Sequence, residues 1–291
     1  MKIGVIVESF REELDSALRS AADMGIEGVQ IYARDPSHAD LIDMSTADRK
    51  ILLKNIRDLG LEVSAICGEL GGHGFQDKAG NTERIDLSKK IIDICCDMDT
   101  KVMTTHIGAI PVSTSSAIYE EMVRVAAIVG EYAAQCGVTL AIETGPEPAV
   151  RLKRYLEDVG TRGIGVNFDP ANLAMVVRDD AETAAATLAD WIVHTHAKDG
   201  KNLRFCNPAD EYGSLETADL TPGFDRKTAG PGFEEVPLGQ GDVNWDGYFK
   251  TLRKINYNGF LTIEREVGDT PKADIQLAVD FLKARLKECN N

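Results

Sequence analysis

Three carboxylates and one imidazole stand at the ends of short apolar runs: Glu143 after LAI, Asp169 after GVNF, His196 after IVHT and Glu264 after FLTI. They are separated by 26, 27 and 68 residues. Three carboxylates gathered in a low-dielectric environment repel one another strongly, and a divalent cation removes that repulsion. Three oxygen ligands and one nitrogen suit Mn²⁺ well, and also Mg²⁺, Co²⁺ or Zn²⁺. The four residues therefore predict one bound divalent metal ion, with Mn²⁺ preferred, if the fold brings them together.

Eight apolar, β-branched runs predict the strands that must position these groups: residues 2–7, 28–33, 61–67, 101–108, 138–145, 163–169, 191–199 and 259–268. Each run is followed by an amphipathic stretch that predicts a helix. Near-continuous apolar strands between helices are typical of parallel strands buried on both faces. Eight such units over 1–291 predict a single (β/α)₈ TIM barrel. A doubly wound open sheet fits less well, because the first turn, VESFRE, lacks the glycine-rich pattern.

One segment interrupts this alternation. Residues 200–242 are rich in glycine, proline and polar residues and show no clear periodicity. The segment follows the seventh strand, so it lies at the carboxyl-terminal mouth where TIM barrels build their active sites. We expect an active-site loop that covers the substrate, because long loops inside compact domains are commonly functional. The alternative is a solvent-exposed insertion without a role.

Further polar residues near strand ends are candidates for substrate binding. His106 ends the fourth strand, Lys198 ends the seventh, and Glu69 and His73 follow the third. We expect Lys198 either to meet a substrate oxygen or phosphate or to pair with the adjacent Asp199. His194 is expected to be structural. If Glu264 points into the mouth, Arg265 should point away from it, and Glu266 should return to the mouth face and support the site.

The segments LAIETG, VNFDPAN, HTHAKDG and GFLTIEREVG, together with THIG and GQGDVNW, resemble the sugar phosphate isomerase/epimerase proteins of the xylose-isomerase-like TIM-barrel group. The resemblance spans essentially the whole chain. It implies a divalent metal on Glu143, Asp169, His196 and Glu264, with Glu143 and Glu264 as acid and base on opposite faces of a sugar. The metal would polarise a carbonyl and stabilise a cis-enediolate while one carboxylate removes the adjacent proton and the other returns it.

The chain departs from that group at substrate contacts. Epimerases of free ketoses often have a histidine where this chain has Asn172, and an arginine where it has Asn202, although Arg204 lies nearby. Asn172 and Arg204 are therefore candidate substrate-binding residues, and the sugar and its phosphorylation remain open. A hydratase or dehydratase of inosose-like or keto-acid substrates is the alternative, because it shares the fold and the enediolate chemistry.

The amino-acid composition narrows the classes of molecule that the protein is expected to bind. The chain has 32 Lys and Arg against 47 Asp and Glu, a net charge of −15 at pH 7, which argues against nucleic acid or an anionic membrane. An apurinic endonuclease of the same barrel group would need more histidines than the five present. A non-catalytic, sugar-sensing barrel is disfavoured by the intact Glu143 and Glu264. We expect a small sugar or polyol-derived substrate, and the resemblance leaves a homo-oligomer open.

The N-terminal apolar run is too short for a signal peptide, and no segment approaches 18 uninterrupted apolar residues. The six cysteines form no Cys-x-x-Cys pair, and adjacent Cys95 and Cys96 are expected to be small buried hydrophobic residues. Together these features predict a cytoplasmic protein with reduced thiols.

Overall fold

Eight parallel strands form a closed barrel in the computed structural model, which describes residues 1–35 and 39–288. We number them β1 (Lys2–Ile6), β2 (Gly28–Tyr32), β3 (Glu62–Cys67), β4 (Val102–Thr105), β5 (Thr139–Glu143), β6 (Ile164–Phe168), β7 (Ile192–Ala197) and β8 (Phe260–Ile263). β1 pairs in parallel with both β2 and β8, and this closure excludes an open doubly wound sheet. The predicted (β/α)₈ fold is confirmed.

Helices occupy the intervals between the strands. They are α1 (Leu14–Asp23), α2 (Thr46–Asp58), α3 (Asn81–Asp97), α4 (Ala117–Cys136), α5 (Ala149–Val159), α6 (Pro170–Val177), α7 (Ala181–Thr187), α8 (Pro208–Tyr212), α9 (Arg226–Ala229), α10 (Trp245–Lys254) and α11 (Pro271–Glu288). Ser45 is the N-cap of α2, because its Oγ accepts a hydrogen bond from the Asp48 amide at 3.2 Å. In α4, Met122, Val125 and Val129 recur at helical spacing and are fully buried.

Residues 200–242, which we call the mouth segment, have more secondary structure than the sequence predicts. A hairpin pairs Asp199–Asn202 with Phe233–Val236, and α8 and α9 lie between its strands. Asp199 anchors the base of the segment: its Oδ2 accepts from the Gly239 amide and from Trp245 Nε1, each at 2.9 Å. Asp199 therefore does not pair with Lys198, which was one of the two expected arrangements, because these donors engage its carboxylate.

The cysteines only partly follow expectation. Cys67, Cys95 and Cys206 are buried thiols, whereas Cys96 is exposed on the outer side of α3 and Cys136 is half-buried. The expectation of a buried Cys96 is thus wrong, since its position in α3 faces away from the core that Cys95 joins. Cys289 lies outside the described residues. None of the described helices is both long and apolar enough to cross a membrane.

Candidate active site

The four residues singled out by their strand-end positions lie together at the barrel mouth. Glu143 is the last residue of β5, Asp169 follows β6, His196 lies near the end of β7 and Glu264 directly follows β8. One ligand atom from each side chain lies within 4.8 Å of the others. All four side chains are buried, with at most 8% exposure. Consecutive parallel strands bring their carboxyl ends to the same end of the barrel, which explains the convergence.

Asp169 both caps a helix and faces the site. It is the N-cap of α6, and its Oδ1 accepts from the Ala171 amide at 2.7 Å and the Asn172 amide at 3.2 Å. Its Oδ2 is buried, points toward His196 Nδ1 at 3.8 Å, and has no hydrogen-bond partner in residues 1–35 and 39–288. A buried, unsatisfied carboxylate oxygen is costly, so the geometry favours a ligand at this position.

His196 presents one ring nitrogen to the same point. Its Nε2 lies 3.2 Å from Gln30 Oε1, and the Gln30 amide nitrogen donates to Thr104 Oγ1 at 3.3 Å. In the neutral tautomer in which Nε2–H donates to Gln30 Oε1, Nδ1 keeps a lone pair. Nδ1 lies 3.1 Å from Glu264 Oε2, yet it has no hydrogen bond of acceptable geometry to the described residues. Burial opposes protonation of His196, but in the metal-free protein Glu143 and Glu264 hold its pKa well above its usual range. A divalent cation bound among the three carboxylates would replace that proton and take the Nδ1 lone pair as a ligand.

Without a metal ion, burial and neighbouring charges shift the pKa values of the three carboxyl groups in different directions. Burial raises the pKa of Asp169 to about 6 despite the nearby His196 and Lys198. Burial opposes ionisation of Glu264, but Lys198 and His196 outweigh it and lower the pKa of that carboxyl to about 2. Burial also opposes ionisation of Glu143, whose pKa His106 and His196 hold well below its usual range. Nearby positive groups therefore hold Glu143 and Glu264 ionised, whereas burial favours the neutral form of Asp169 when no metal ion is bound.

Two substitutions at Asp169 distinguish its role as the N-cap of α6 from its proposed role as a metal ligand. Asp169→Asn keeps an oxygen that can cap α6, so we expect near-normal thermal stability but at least about tenfold weaker Mn²⁺ binding. Asp169→Ala loses the cap as well, and should cost about 1 kcal/mol more in unfolding free energy. Metal-free protein should be compared by urea denaturation, and Mn²⁺ affinity by calorimetry. Equal Mn²⁺ affinity in wild type and Asp169→Asn would contradict the ligand assignment.

On the β4 side, His106 and Glu69 form a second polar pair beside Glu143. Glu69 Oε2 accepts from His106 Nδ1 at 3.0 Å and from the His106 amide at 3.2 Å. His106 Nε2 then faces Glu143 Oε1 at 3.5 Å. Asn172 Nδ2 donates to the same Glu143 oxygen at 3.0 Å, so these predicted residues do adjoin the cluster.

Lys198 lies on the opposite side, next to Glu264. Its buried ammonium is 3.1 Å from Glu264 Oε2, contacts Glu266, and is 3.7 Å from Glu235 Oε2 in the mouth-segment hairpin. Arg265 points away from the cluster, as expected, and pairs with Glu235 at 2.5 Å and Asp274 at 2.8 Å. Lys198 therefore orients Glu264 and connects it to the mouth segment.

Two predicted substrate contacts lie elsewhere. Arg204 pairs with Glu211 Oε1 at 2.6 Å within the mouth segment, and its guanidinium lies over the Phe224 ring. His73 is exposed next to Gly213. Two cavities open at the barrel mouth, one beside Glu143 and one beside Lys198, and neither side chain lines them. The loop that carries His73 exposes it, and the mouth segment directs Arg204 toward its own Glu211. His194 is structural, as expected: its Nε2 lies 3.0 Å from both Gln30 Oε1 and Thr262 Oγ1.

Sequence reasoning missed several residues that adjoin the cluster. Asn167 Nδ2 lies 3.0 Å from Glu143 Oε2 and 3.1 Å from His196 Nε2. Gln30 and Asn167 are single polar residues inside otherwise apolar strands, a signal that could have identified them. Tyr212 lines both cavities at the mouth. Glu147 lines the cavity beside Glu143 and is 3% exposed.

Glu147 gives a testable pH dependence. Burial raises its pKa from 4.5 to about 7, and the neighbouring charges of Arg151 and His106 only partly oppose that rise. The folded state thus keeps this proton longer than the unfolded state does. The contribution of Glu147 to the unfolding free energy should fall by about 3 kcal/mol as pH rises from about 4.5 to about 7.

Urea denaturation of wild type and Glu147→Gln between pH 4.5 and 8, in the same metal state, checks this dependence. The variant should gain stability relative to wild type as pH rises through that window. The exposed Glu157→Gln on α5 is the matched control and should parallel wild type. A constant difference between Glu147→Gln and wild type across the window would contradict the prediction.

The fold and sequence match known proteins. The model of the xylose isomerase-like TIM barrel family matches residues 18–285. An L-ribulose-5-phosphate 3-epimerase, UlaE, from Salmonella paratyphi A is 25% identical over 285 residues, which span 92% of this chain and 88% of that protein. The crystal structure of a xylose isomerase domain protein from Planctomyces limnophilus is 28% identical and has a TM-score of 0.78, covering 100% of this chain and 98% of that one.

A structure of an L-ribulose 3-epimerase shares the fold at 19% identity and a TM-score of 0.73, covering 99% of this chain and 95% of its own. The family model covers almost the whole barrel, including the strand ends that carry Glu143, Asp169, His196 and Glu264. The chain belongs to the xylose isomerase-like TIM barrel family.

Proposed function

We propose that this protein is a divalent-metal-dependent sugar isomerase or epimerase. The observation that carries the proposal is the buried cluster of Glu143, Asp169, His196 and Glu264, in which Asp169 Oδ2 and His196 Nδ1 face a common point without hydrogen-bond partners among the described residues. The sugar epimerases among the sequence relatives support the reaction class.

The four residues would hold the metal ion, with Mn²⁺ preferred. When bound, the ion supplies a Lewis acid that polarises a substrate carbonyl. The chain's own contribution is proton transfer at the carbon next to that carbonyl, by Glu143 and Glu264. Glu143 ends β5 and Glu264 follows β8, so the two carboxylates approach a bound sugar from different sides.

The neighbours of these carboxylates suit those tasks. His106 and Asn172 hold Glu143 Oε1, while Lys198 holds Glu264 Oε2, so both carboxylates are oriented before substrate binds. Catalytic groups that are already oriented lose less conformational entropy on reaching the transition state, which lowers the barrier. Tyr212 and Glu235 bring the mouth segment over the site, which supports its role as a cover that excludes water.

The function is tested by incubating Mn²⁺-loaded protein with a panel of ketoses in D₂O. A metal-dependent isomerase or epimerase should incorporate deuterium next to the carbonyl and form an isomer of unchanged composition. A product lighter by one water, from ketoses or inositol-derived ketones, would instead identify the dehydratase alternative. Metal binding without any deuterium incorporation or product would contradict the proposal.

A further inference from the structure

The cavity beside Glu143 is lined by acidic groups. It has a volume of about 210 Å³, and its walls include the ionisable side chains of Glu69, His106, Glu143, Glu147 and Tyr212. In the described part of the chain, its ionisable wall side chains are thus three carboxyls, one imidazole and one phenol, with no ammonium or guanidinium. Any substrate that extends from Glu143 into this cavity meets carboxyl groups.

Carboxyls of this cavity accept hydrogen bonds from three backbone amides at or next to its wall. Glu69 Oε1 accepts from the Gly71 amide at 2.6 Å, and Glu69 Oε2 accepts from the His106 amide at 3.2 Å. Glu147 Oε2 accepts from the Ile110 amide at 3.5 Å. A phosphate group is normally held by such amides or by Arg and Lys. Here these three amides already have carboxylate acceptors, and the described lining residues include no Arg or Lys to hold a phosphate.

A second cavity, on the Lys198 side of the cluster, is also lined by more carboxylates than cations. It measures about 550 Å³ and is lined by four carboxylates, Glu211, Glu234, Glu235 and Glu266, against two cations, Lys198 and Arg226. Lys198 is paired with Glu264 and Glu266. Arg226 donates to the Glu211 carbonyl at 2.9 Å and lies 3.9 Å from its carboxylate. Both cations are therefore engaged within the chain.

We propose that the substrate is an uncharged ketose rather than a sugar phosphate, and that Glu147 selects it by hydrogen bonding a hydroxyl remote from the metal cluster. This inference rests on the proposed function and narrows its substrate class. A phosphate monoester carries between one and two negative charges at neutral pH. In either cavity it would face carboxylates in a partly desolvated space, where like charges repel more strongly than in water.

The Glu147 carboxyl is better suited to hydrogen bond a substrate hydroxyl than to bind a substrate anion. It is buried, lies on the cavity wall, and receives only the long Ile110 contact among the hydrogen bonds of the described residues. A carboxyl group can accept from a hydroxyl when ionised and donate to it when protonated. Burial raises the pKa of Glu147 to about 7, so both forms are populated near neutral pH.

The distinction matters because both substrate classes occur among similar proteins. The UlaE relative is named for a phosphorylated pentulose, and one structural neighbour is named for the free pentulose. The test measures calorimetric Kd values and initial rates for Mn²⁺-loaded full chain with two matched pairs: L-ribulose and L-ribulose 5-phosphate, and D-fructose and D-fructose 6-phosphate. The free ketose should bind at least about tenfold more tightly than its ester.

Variants test the assignment to Glu147. Glu147→Gln should raise KM for the free ketose by about fivefold or more and reduce the preference over the ester, because it removes a negative charge and alters the hydroxyl contact. Glu157→Gln, exposed on α5, should keep the wild-type ratio. Circular dichroism confirms that each variant is folded.

The outcomes separate this inference from the function on which it rests. Tighter binding or faster turnover of the esters would overturn the uncharged substrate while leaving a sugar isomerase intact. An unchanged preference in folded Glu147→Gln would overturn the role of Glu147. Preferential binding of a free ketose without any deuterium exchange would support the charge selection and contradict the proposed reaction. Absence of binding by every member of both pairs would overturn both proposals.

Discussion

Replacing Glu264 with Gln is expected to lower kcat for the sugar substrate about a thousandfold while the barrel remains folded. Glutamine retains the shape and one oxygen that can still accept from Lys198 Nζ, which lies 3.1 Å from Glu264 Oε2. It cannot accept or return a proton at neutral pH. The rate should be measured at saturating Mn²⁺ so that weaker metal binding does not contribute to the loss.

The control for this variant is Glu157→Gln, which makes the same chemical change on the exposed face of α5 and should keep wild-type kcat. Deuterium exchange adds a second readout. If Glu264 transfers one of the two protons, Glu264→Gln should slow epimer formation in both directions and slow deuterium wash-in for the epimer that Glu264 deprotonates. Near-wild-type turnover by a folded Glu264→Gln protein would refute the acid–base assignment.

Removing the metal is expected to abolish turnover and to lower the melting temperature. Without a metal ion, three carboxylates share a buried site, and only the nearby His196, His106 and Lys198 offset their mutual repulsion. A cation that binds only the folded state adds about 2.7 kcal/mol at a hundredfold excess over its Kd, or about 5 °C for a domain of this size. Exhaustive dialysis against EDTA, then titration with Mn²⁺, Mg²⁺, Co²⁺ or Zn²⁺, measures both effects.

Restoration should be stoichiometric, with one ion per chain by mass spectrometry of the native protein. The Asp169→Asn variant provides the matched comparison, since it keeps the α6 cap and loses one charged ligand; its thermal shift with Mn²⁺ should be smaller than that of wild type. Full activity in excess EDTA, with no metal detected in the protein, would overturn the metal assignment.

The barrel and its four central side chains were accessible to sequence reasoning because they depend on local pattern and strand order. Parallel strands in consecutive β/α units must place their carboxyl ends at one mouth, so a polar residue ending an apolar strand is directed there. That rule located Glu143, Asp169, His196 and Glu264. It also explains why Glu266 returns toward Lys198 while Arg265 turns outward to Asp274.

The surroundings of the site were less accessible, because they depend on long-range contacts. Gln30 reaches His196 across 166 residues of sequence, and nothing local to β2 indicates that its amide orients an imidazole from β7. Arg204 was placed near substrate by analogy of position, yet the mouth segment folds so that Glu211 holds it. Glu147 and Tyr212 line a cavity whose walls come from several separate loops.

By itself, the sequence determined the eight-unit barrel and the identity of the metal-competent residues, because hydrophobic periodicity and strand polarity are local properties that leave few topologies. Only the tertiary structure decided which atoms face the common point, which cations are already paired and how acidic the cavities are. Those properties depend on the rotation of side chains and on loop paths, which packing over the whole chain sets. The charge of −15 illustrates the difference: composition states its size, whereas the fold directs carboxylates into the cavities beside the proposed metal site.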